Sequence, residues 1–551
     1  MTTPIDSRPA VRSEGPRAEA PSGRVALALA RIEGRRLLRS PALLVGVGLA
    51  ALQTGPGGLW PEAANLRLRA MDGAFLVLPL AAATLIASFL AALRARRSGA
   101  EEVFSATPAP PRARTAAHLL APLPVAAVGV MLVATALLAA WRLRHGFGRP
   151  DLAEVAVGPT LVLGAGALGV LLARWTRSTL AAIVACLGIA ALELTVAALP
   201  QTNPFRRLAF WYGYGDMPAE LLPDRLARWH LAYLAGLVAM AAVGALARHG
   251  LRRRLVVAGL VAIALVATSA WFQARPIPAS LWASRNAVLL RPHEFQECEE
   301  RHGIRYCAYP SYRPLIDLWA APIAGVHRAV PSGRWPVVEV SQRVAGNDRQ
   351  WVSSRDVERK LPALPPKGAR TVDDGHLHPP VLWDTTGRAE LGLALLASSR
   401  AVGLPLGNPD PDARCDASGQ ARAVVALWLA GQATPATGRT LRQIAKDAVV
   451  DIGGHTILVI PDFGTPGGVA FGATEMALAL ELLGRPSDEV AAMVDAAWAE
   501  LTDRGTPVAT AVSRLGLADP GPTPLGPGRA KLDVFSALNG HPVPEIGQVC
   551  R

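Results

Sequence analysis

The chain has 551 residues, of which 51% are hydrophobic, with a mean hydropathy of +0.27 and a formal net charge of +13. This length is enough for two or more domains, and this hydropathy is high for a soluble protein. A basic excess is typical of proteins that bind nucleic acid or anionic lipid, and also of membrane topology. Here many arginines flank apolar runs, so topology explains the charge and we expect no nucleic-acid partner.

The N-terminal region precedes the first apolar run. Residues 1–23 are polar and rich in proline, which predicts a disordered tail. Residues 24–39, RVALALARIEGRRLLR, place apolar side chains among arginines. This pattern fits either an amphipathic helix at the membrane interface or the ordinary basic flank of a first span.

Apolar runs of membrane-spanning length alternate with short Arg-rich connectors as far as residue 273. A helix needs about 20 apolar residues to cross a bilayer. Only helices and closed barrels satisfy the backbone in lipid, and continuous apolar runs indicate helices. We therefore predict that 24–273 is a permease-like transmembrane domain with spans at about 41–58, 71–93, 118–141, 153–173, 180–199, 231–247 and 255–273.

The arginine distribution predicts the orientation. With the N-terminus inside, the inner segments 24–40, 94–117, 174–178 and 248–254 carry sixteen arginines and the outer segments carry nine. Cytoplasmic loops carry the excess of basic residues. Seven spans then place residues 274–551 outside, with four of the five cysteines. Disulfides persist in oxidising compartments, so the cysteine placement agrees with this plasma-membrane topology.

Two features of the apolar half invite a functional interpretation. Gly164 to Gly169 spell GxGxxG, but within an apolar helix rather than between a strand and a helix. Close helix packing through small residues explains it better than a dinucleotide site. Glu193 is the most embedded ionisable residue. It is either a functional intramembrane carboxylate or a side chain that reaches the outer interface from two turns before Pro200.

The inner segment 94–117 differs from an ordinary connector. An acidic pair, Glu101 and Glu102, and an apolar pair, Val103 and Phe104, lie between basic ends. This pattern fits a short helix that docks a cytoplasmic partner, or a solvated linker. RIEGRRLLRSPALL at the first span and RSGAEEVFSATPAPPRARTAAHLLA resemble actinobacterial ABC-2 type transporter permeases.

The resemblance covers about 24–247 and implies a function for these segments. In that family the second segment is cytoplasmic and couples the membrane subunit to its ATPase. The family core has six spans, so 255–273 would be an extra span that exports the C-terminal domain. The chain contains no Walker A pattern, so the resemblance implies a separate ATPase subunit and a homo- or heterodimer of membrane subunits.

Residues 274–551 are long enough to form a core of their own. Cys298 and Cys307 flank a short segment that reads as a disulfide-closed hairpin, which leaves Cys415 and Cys550 to pair. Four cysteines allow three pairings, so this choice rests on proximity. Helical periodicity is present at 313–329, 386–403, 417–431, 437–449, 470–484, 486–503 and 506–515, and strands are expected near 286–291, 304–309, 336–344 and 456–460.

The sequence of residues 274–551 lacks complete catalytic motifs of two common kinds. HEFQE at 293–297 lacks the second histidine of HExxH, and no G-x-S-x-G pattern occurs. His376 and His378 are two positions apart, so on a strand they would face the same side, as a pair of metal ligands can. The prolines that follow them favour an exposed loop instead. LWLAGQATP and the helices around it resemble a degenerate M1 aminopeptidase domain without HExxH. We therefore expect no enzyme activity, no cofactor and no metal site.

The sequence thus predicts an α-helical polytopic membrane domain of six to seven transmembrane helices, followed by a mostly helical α+β extracytoplasmic domain. The first functional hypothesis is the permease subunit of an ABC-2 type export system, embedded in the lipid bilayer. The alternative is a membrane-anchored extracytoplasmic binding or sensor protein, and a membrane-bound hydrolase is a third hypothesis.

Overall fold

The fold was obtained as a computed structural model of the whole chain. The residues that it describes are 22–53, 65–97, 110–143, 146–176, 178–199, 203–211, 226–275, 280, 287–288, 291–342, 375–379, 383, 387–405, 413–447, 449–452, 455–458, 469–518 and 545–550.

The N-terminal half is helical, as the apolar runs predict. Its helices in chain order are α1 (Ser22–Leu38), α2 (Pro41–Leu52), α3 (Leu66–Leu76), α4 (Leu78–Arg97), α5 (Pro111–Leu120), α6 (Leu123–Leu143), α7 (Leu152–Trp175), α8 (Ala181–Ala197), α9 (Ala227–Ala247) and α10 (Arg253–Ala274). A 3₁₀ turn, Pro204–Leu208, lies between α8 and α9.

Five helical stretches of the described chain are long and apolar enough to cross a membrane. They are Leu66–Arg94, Pro111–Arg142, Leu152–Trp175, Ala227–Ala247 and Arg253–Ala274. The predicted first and fifth spans correspond to shorter apolar helices, Pro41–Leu52 and Ala181–Val196. Large apolar side chains remain exposed along these helices, for example Leu194 at 73% and Leu260 at 62%, as a lipid environment requires.

Small residues bring α7 close to its neighbours, and the GxGxxG motif forms part of that contact. A Cβ added at Gly169 would lie 2.4 Å from the Leu85 carbonyl oxygen of α4. One added at Gly166 would lie 2.4 Å from Pro122 Cγ. Backbones can approach this closely only where side chains are absent. The motif therefore serves close helix packing, as the sequence predicts.

The C-terminal half combines helices with two small sheets. Its helices are α11 (Ile316–Ala329), α12 (Arg388–Ala401), α13 (Ala421–Gln432), α14 (Pro435–Asp447), α15 (Ala473–Leu482), α16 (Ser487–Ala496), α17 (Trp498–Leu501) and α18 (Val508–Arg514). Its strands are β1 (Glu297–Arg301), β2 (Ile304–Ala308), β3 (Glu339–Ser341), β4 (His376–Leu377), β5 (Ala413–Asp416), β6 (Val449–Ile452), β7 (His455–Leu458), β8 (Val469–Gly472) and β9 (Glu545–Val549).

Each sheet mixes local hairpins with long-range parallel pairs. The first has the order β1-β2-β3-β4, with β1 and β2 antiparallel and the other pairs parallel. The second has the order β6-β7-β8-β5-β9, in which β5 pairs in parallel with both β8 and β9. Helix α13 lies in the core of this half, since all of its residues from Ala421 to Gly431 are buried. Trp428 of this helix and Trp319 of α11 are at most 1% exposed.

Several predicted elements of this half differ from the structure. Residues 287–288 are helical where a strand is predicted over 286–291. The predicted helix over 486–503 is interrupted at Ala497, and the predicted helix over 470–484 starts only at Ala473, because Val469–Gly472 joins a sheet as β8. Tertiary pairing overrides local periodicity in short apolar segments of this kind.

Candidate functional site

One end of the membrane helices is organised around α1. A Cβ added at Gly34 would lie 3.2 Å from the Ala121 carbonyl oxygen, so α1 packs directly on the turn between α5 and α6. The Glu33 carboxylate accepts hydrogen bonds from Arg36 at 2.8 Å and from Arg94 of α4 at 3.5 Å. These contacts fasten α1 to α4 and α5, which are the two helices that flank residues 98–109.

The predicted ATPase-coupling residues Glu101, Glu102, Val103 and Phe104 lie outside the described residues. The start of α5, which follows them, is fixed at the same end of the helices. Arg112 Nη2 donates to the carbonyl oxygens of His249 at 2.7 Å and Gly250 at 2.9 Å, in the turn between α9 and α10. Thr115 Oγ1 lies 2.7 Å from His249 Nε2. These contacts brace the helices on either side of the predicted coupling segment, and we call this end of the membrane helices the α1 end.

The opposite end of the helices carries the C-terminal domain. The Leu66 amide donates to the Phe147 carbonyl oxygen at 2.8 Å, which joins the segments before α3 and α7. Asn65 Nδ2 then donates to Tyr312 Oη at 3.1 Å, across 247 positions of sequence. The Phe147 and Tyr312 rings lie 4.9 Å apart, and both side chains are at most 5% exposed.

This interdomain contact escaped the sequence prediction. Phe147 belongs to the hydrophobic core of the C-terminal domain although the chain places it between two membrane helices. Asn65 also caps α3, since its Oδ1 accepts from the Arg67 amide at 3.0 Å. A lone apolar residue after an Arg-rich stretch gives no signal of such a contact. The two halves of the chain are thus joined by buried side chains as well as by the backbone after α10.

Glu193 lies near this second end, on α8. Its Oε2 accepts a hydrogen bond from the Phe210 amide at 2.9 Å, and the residue is half-buried. Phe210 follows the 3₁₀ turn, in which Arg207 donates to the carbonyl oxygens of Gln273 at 3.2 Å and Arg275 at 3.0 Å. Glu193 therefore contacts backbone where the helices end. This contact favours the interpretation that its side chain reaches the outer interface over that of a functional intramembrane carboxylate.

The four cysteines of the C-terminal domain form two disulfides. Cys298 pairs with Cys307 across the β1–β2 hairpin, where His302 and Gly303 make the turn with φ of 52° and 73°. Cys415 of β5 pairs with Cys550, at a sequence separation of 135. Cys186 is a free cysteine. The pairing is the one that proximity predicts among the three that are possible.

A buried arginine, which the sequence analysis missed, forms a network of hydrogen bonds next to the second disulfide. Arg422 is 0% exposed. Its guanidinium donates to the Cys550 carbonyl oxygen at 2.6 Å, to the Gly403 carbonyl oxygen at 2.7 Å and to Gln420 Oε1 at 2.7 Å. Burial lowers the pKa of Arg422, and the nearby Arg504 lowers it further. This network holds the end of the chain in the domain core.

The histidine pair is placed differently from the prediction of an exposed loop. His376 lies on the short strand β4, and its Nδ1 is 3.6 Å from Glu339 Oε1. His378 Nδ1 lies 3.0 Å from the Ser341 carbonyl oxygen, and both histidines are only partly exposed. Among the described residues no group of three or more His, Cys, Asp or Glu side chains is arranged to hold a metal ion.

The features that could serve a function are therefore the braced α1 end and the buried interdomain contact at the other end. The chain was compared with models of known protein families, with curated proteins and with solved structures, and no match was found.

Proposed function

We propose that this chain is the membrane permease subunit of an ABC-2 type export system, powered by a separate ATPase. The observation that carries the proposal is the bracing of α1 against α4 and α5, the two helices that flank the predicted coupling segment. A partner that pushes on residues 101–104 would act on α4 and α5 together. The sequence resemblance of 31–44 and 97–121 to such permeases supports the same assignment.

The contacts at the two ends support seven passes of the chain between them. Glu33 meets Arg94 at the α1 end, whereas Asn65 meets Tyr312 at the other end, so α2 begins a pass between them. Trp175 Nε1 donates to the Gly244 carbonyl oxygen near the α1 end. Gln273 contacts the start of α9 at the other end. Helix α7 thus ends near the α1 end and α9 starts at the other end, so α8, which lies between them in the chain, makes another pass. With the five longer spans this totals seven.

From seven passes we infer that the α1 end and the C-terminal domain lie on opposite sides of the bilayer. The arginine bias favours a cytoplasmic α1 end, and the disulfides favour an extracytoplasmic domain. Alkaline phosphatase fused after Pro278 is therefore expected to be active in a bacterial host. A fusion after Arg114 serves as the matched control and is expected to be inactive. Activity of the second fusion and not of the first would invert the proposed orientation.

The coupling segment supplies the test of the permease function. We expect V103D/F104D to abolish co-purification of a Walker-type ATPase, because an apolar anchor at an interface cannot be replaced by two carboxylates. Truncating a buried aromatic anchor typically costs about 2 kcal/mol, or roughly thirtyfold in affinity. The measurement is pull-down of the tagged full chain from its native membranes, with quantification of the ATPase.

The control adds the same two charges elsewhere. A10D/V11D changes the N-terminal tail, on the same proposed side of the membrane, and should leave the ATPase bound. Normal binding by V103D/F104D would remove the proposed coupling role of this segment. If no ATPase accompanies the wild-type chain, the membrane-anchored extracytoplasmic binding protein becomes the better assignment.

A further inference from the structure

A cavity of about 500 Å³ opens at the α1 end, between the end of α1, the start of α2 and the last turns of α4. We call it the arginine cavity. It is lined by Arg36, Leu37, Ser40, Ala87, Leu90, Ala91, Arg94 and Arg97.

The cavity has an apolar floor and a basic rim. The floor is formed by Leu37, Ala87 and Ala91, which are 4%, 5% and 7% exposed. The three arginines are exposed at its mouth. Among the residues that the structure describes, the Glu33 carboxylate contacts Arg36 and Arg94, so the three arginines outnumber the acidic group beside them. A ligand that matches this cavity carries negative charge next to apolar bulk.

The position of the cavity along the helices selects the ligand class. Arg94 ends the apolar stretch Leu66–Arg94, so the guanidinium groups lie where a span meets the headgroup layer. Leu90, one turn deeper, is 40% exposed toward the cavity and its surroundings. A soluble anion would neutralise the rim but leave the exposed side of Leu90 in contact with water, which is unfavourable. An anionic phospholipid satisfies both parts.

We propose that the arginine cavity binds one anionic phospholipid of the adjoining leaflet. Its phosphodiester lies among the guanidinium groups of Arg36, Arg94 and Arg97, which donate charge-assisted hydrogen bonds to phosphate oxygens. Its acyl chains follow the exposed side of Leu90 into the bilayer. A bound lipid would tie α1 to α4 beside the Glu33–Arg94 pair. This proposal rests on membrane insertion and not on the proposed ATPase partner.

The test is lipid binding to the purified full chain in detergent, measured by native mass spectrometry with phosphatidylglycerol and phosphatidylcholine as probes. A basic residue near an anionic headgroup contributes about fivefold in affinity. We therefore expect the wild-type chain to prefer phosphatidylglycerol by at least about tenfold. R36Q/R94Q/R97Q is expected to lose this preference.

Two variants separate a specific site from diffuse charge attraction. R252Q/R253Q/R254Q removes three exposed arginines at the same end of the helices and should keep the preference. Ala91→Phe fills the cavity while it keeps every charge, and should lower retention of phosphatidylglycerol by a similar tenfold. Thermal unfolding of each variant in detergent identifies any that fails to fold.

Equal losses in both triple variants, or unchanged binding in Ala91→Phe, would overturn the site in favour of general surface attraction. Displacement of phosphatidylglycerol by millimolar inorganic phosphate would reduce it to an anion site without lipid specificity. Absence of a preference in the wild-type chain would also overturn the proposal.

Discussion

Replacing Cys415 and Cys550 with serine is expected to destabilise the C-terminal domain by about 5 kcal/mol. On the chain-entropy description, a cross-link stabilises by restricting the unfolded chain, and the effect grows with the length of the closed loop. The sequence separation of this pair is 135, whereas it is 9 for Cys298 and Cys307. The C298S/C307S variant should therefore lose only about 2–3 kcal/mol.

The measurement is equilibrium unfolding of the full chain in urea under non-reducing conditions, followed by tryptophan fluorescence. Trp319 and Trp428 are buried in the C-terminal core and report on it. Cys186→Ala removes the free cysteine and should leave the midpoint unchanged, which controls for the substitution itself. A smaller loss for C415S/C550S than for C298S/C307S would contradict the dependence on loop length. Free thiols at Cys298, Cys307, Cys415 and Cys550 in the wild-type protein would contradict an extracytoplasmic domain.

Replacing Arg422 with methionine is expected to destabilise the same domain by about 3 kcal/mol or more. The substitution leaves the Gly403 carbonyl oxygen and Gln420 Oε1 without the guanidinium that satisfies them, and removes one of the donors to Cys550. A buried polar group that loses its partner costs about 1–3 kcal/mol. The gain from burying a methionine side chain offsets only part of that loss.

Two further substitutions show whether geometry or charge matters. Arg422→Lys keeps a cation but lacks the planar fork of donors, so its loss in urea unfolding should be intermediate. Arg442→Met removes an exposed arginine that makes a 3.3 Å hydrogen bond to the Leu483 carbonyl oxygen, and should change stability by less than about 0.5 kcal/mol. If Arg422→Met and Arg442→Met behave alike, the buried network does not hold the chain end.

The sequence points to some of the notable residues and not to others. Glu193 was identified because a carboxylate in an apolar run is conspicuous, but only the structure shows its contact with the Phe210 amide. Arg422 was missed because an arginine at the start of a helix looks exposed in a sequence. Its burial depends on carbonyl groups that arrive from distant segments. Sequence patterns report residue chemistry, and partners across the fold remain invisible to them.

The sequence by itself determined the features that depend on local chemistry. Continuous apolar runs specify helices, since lipid allows only helices and closed barrels and barrel strands alternate apolar with polar residues. The glycines of α7 specify close packing, and the spacing of Cys298 and Cys307 specifies a hairpin. Tertiary structure decided what depends on distant partners. It brought Phe147 and Asn65 to Tyr312 and joined β5 to β9. Parallel pairing and interdomain contacts join residues far apart in the chain, so no local pattern encodes them.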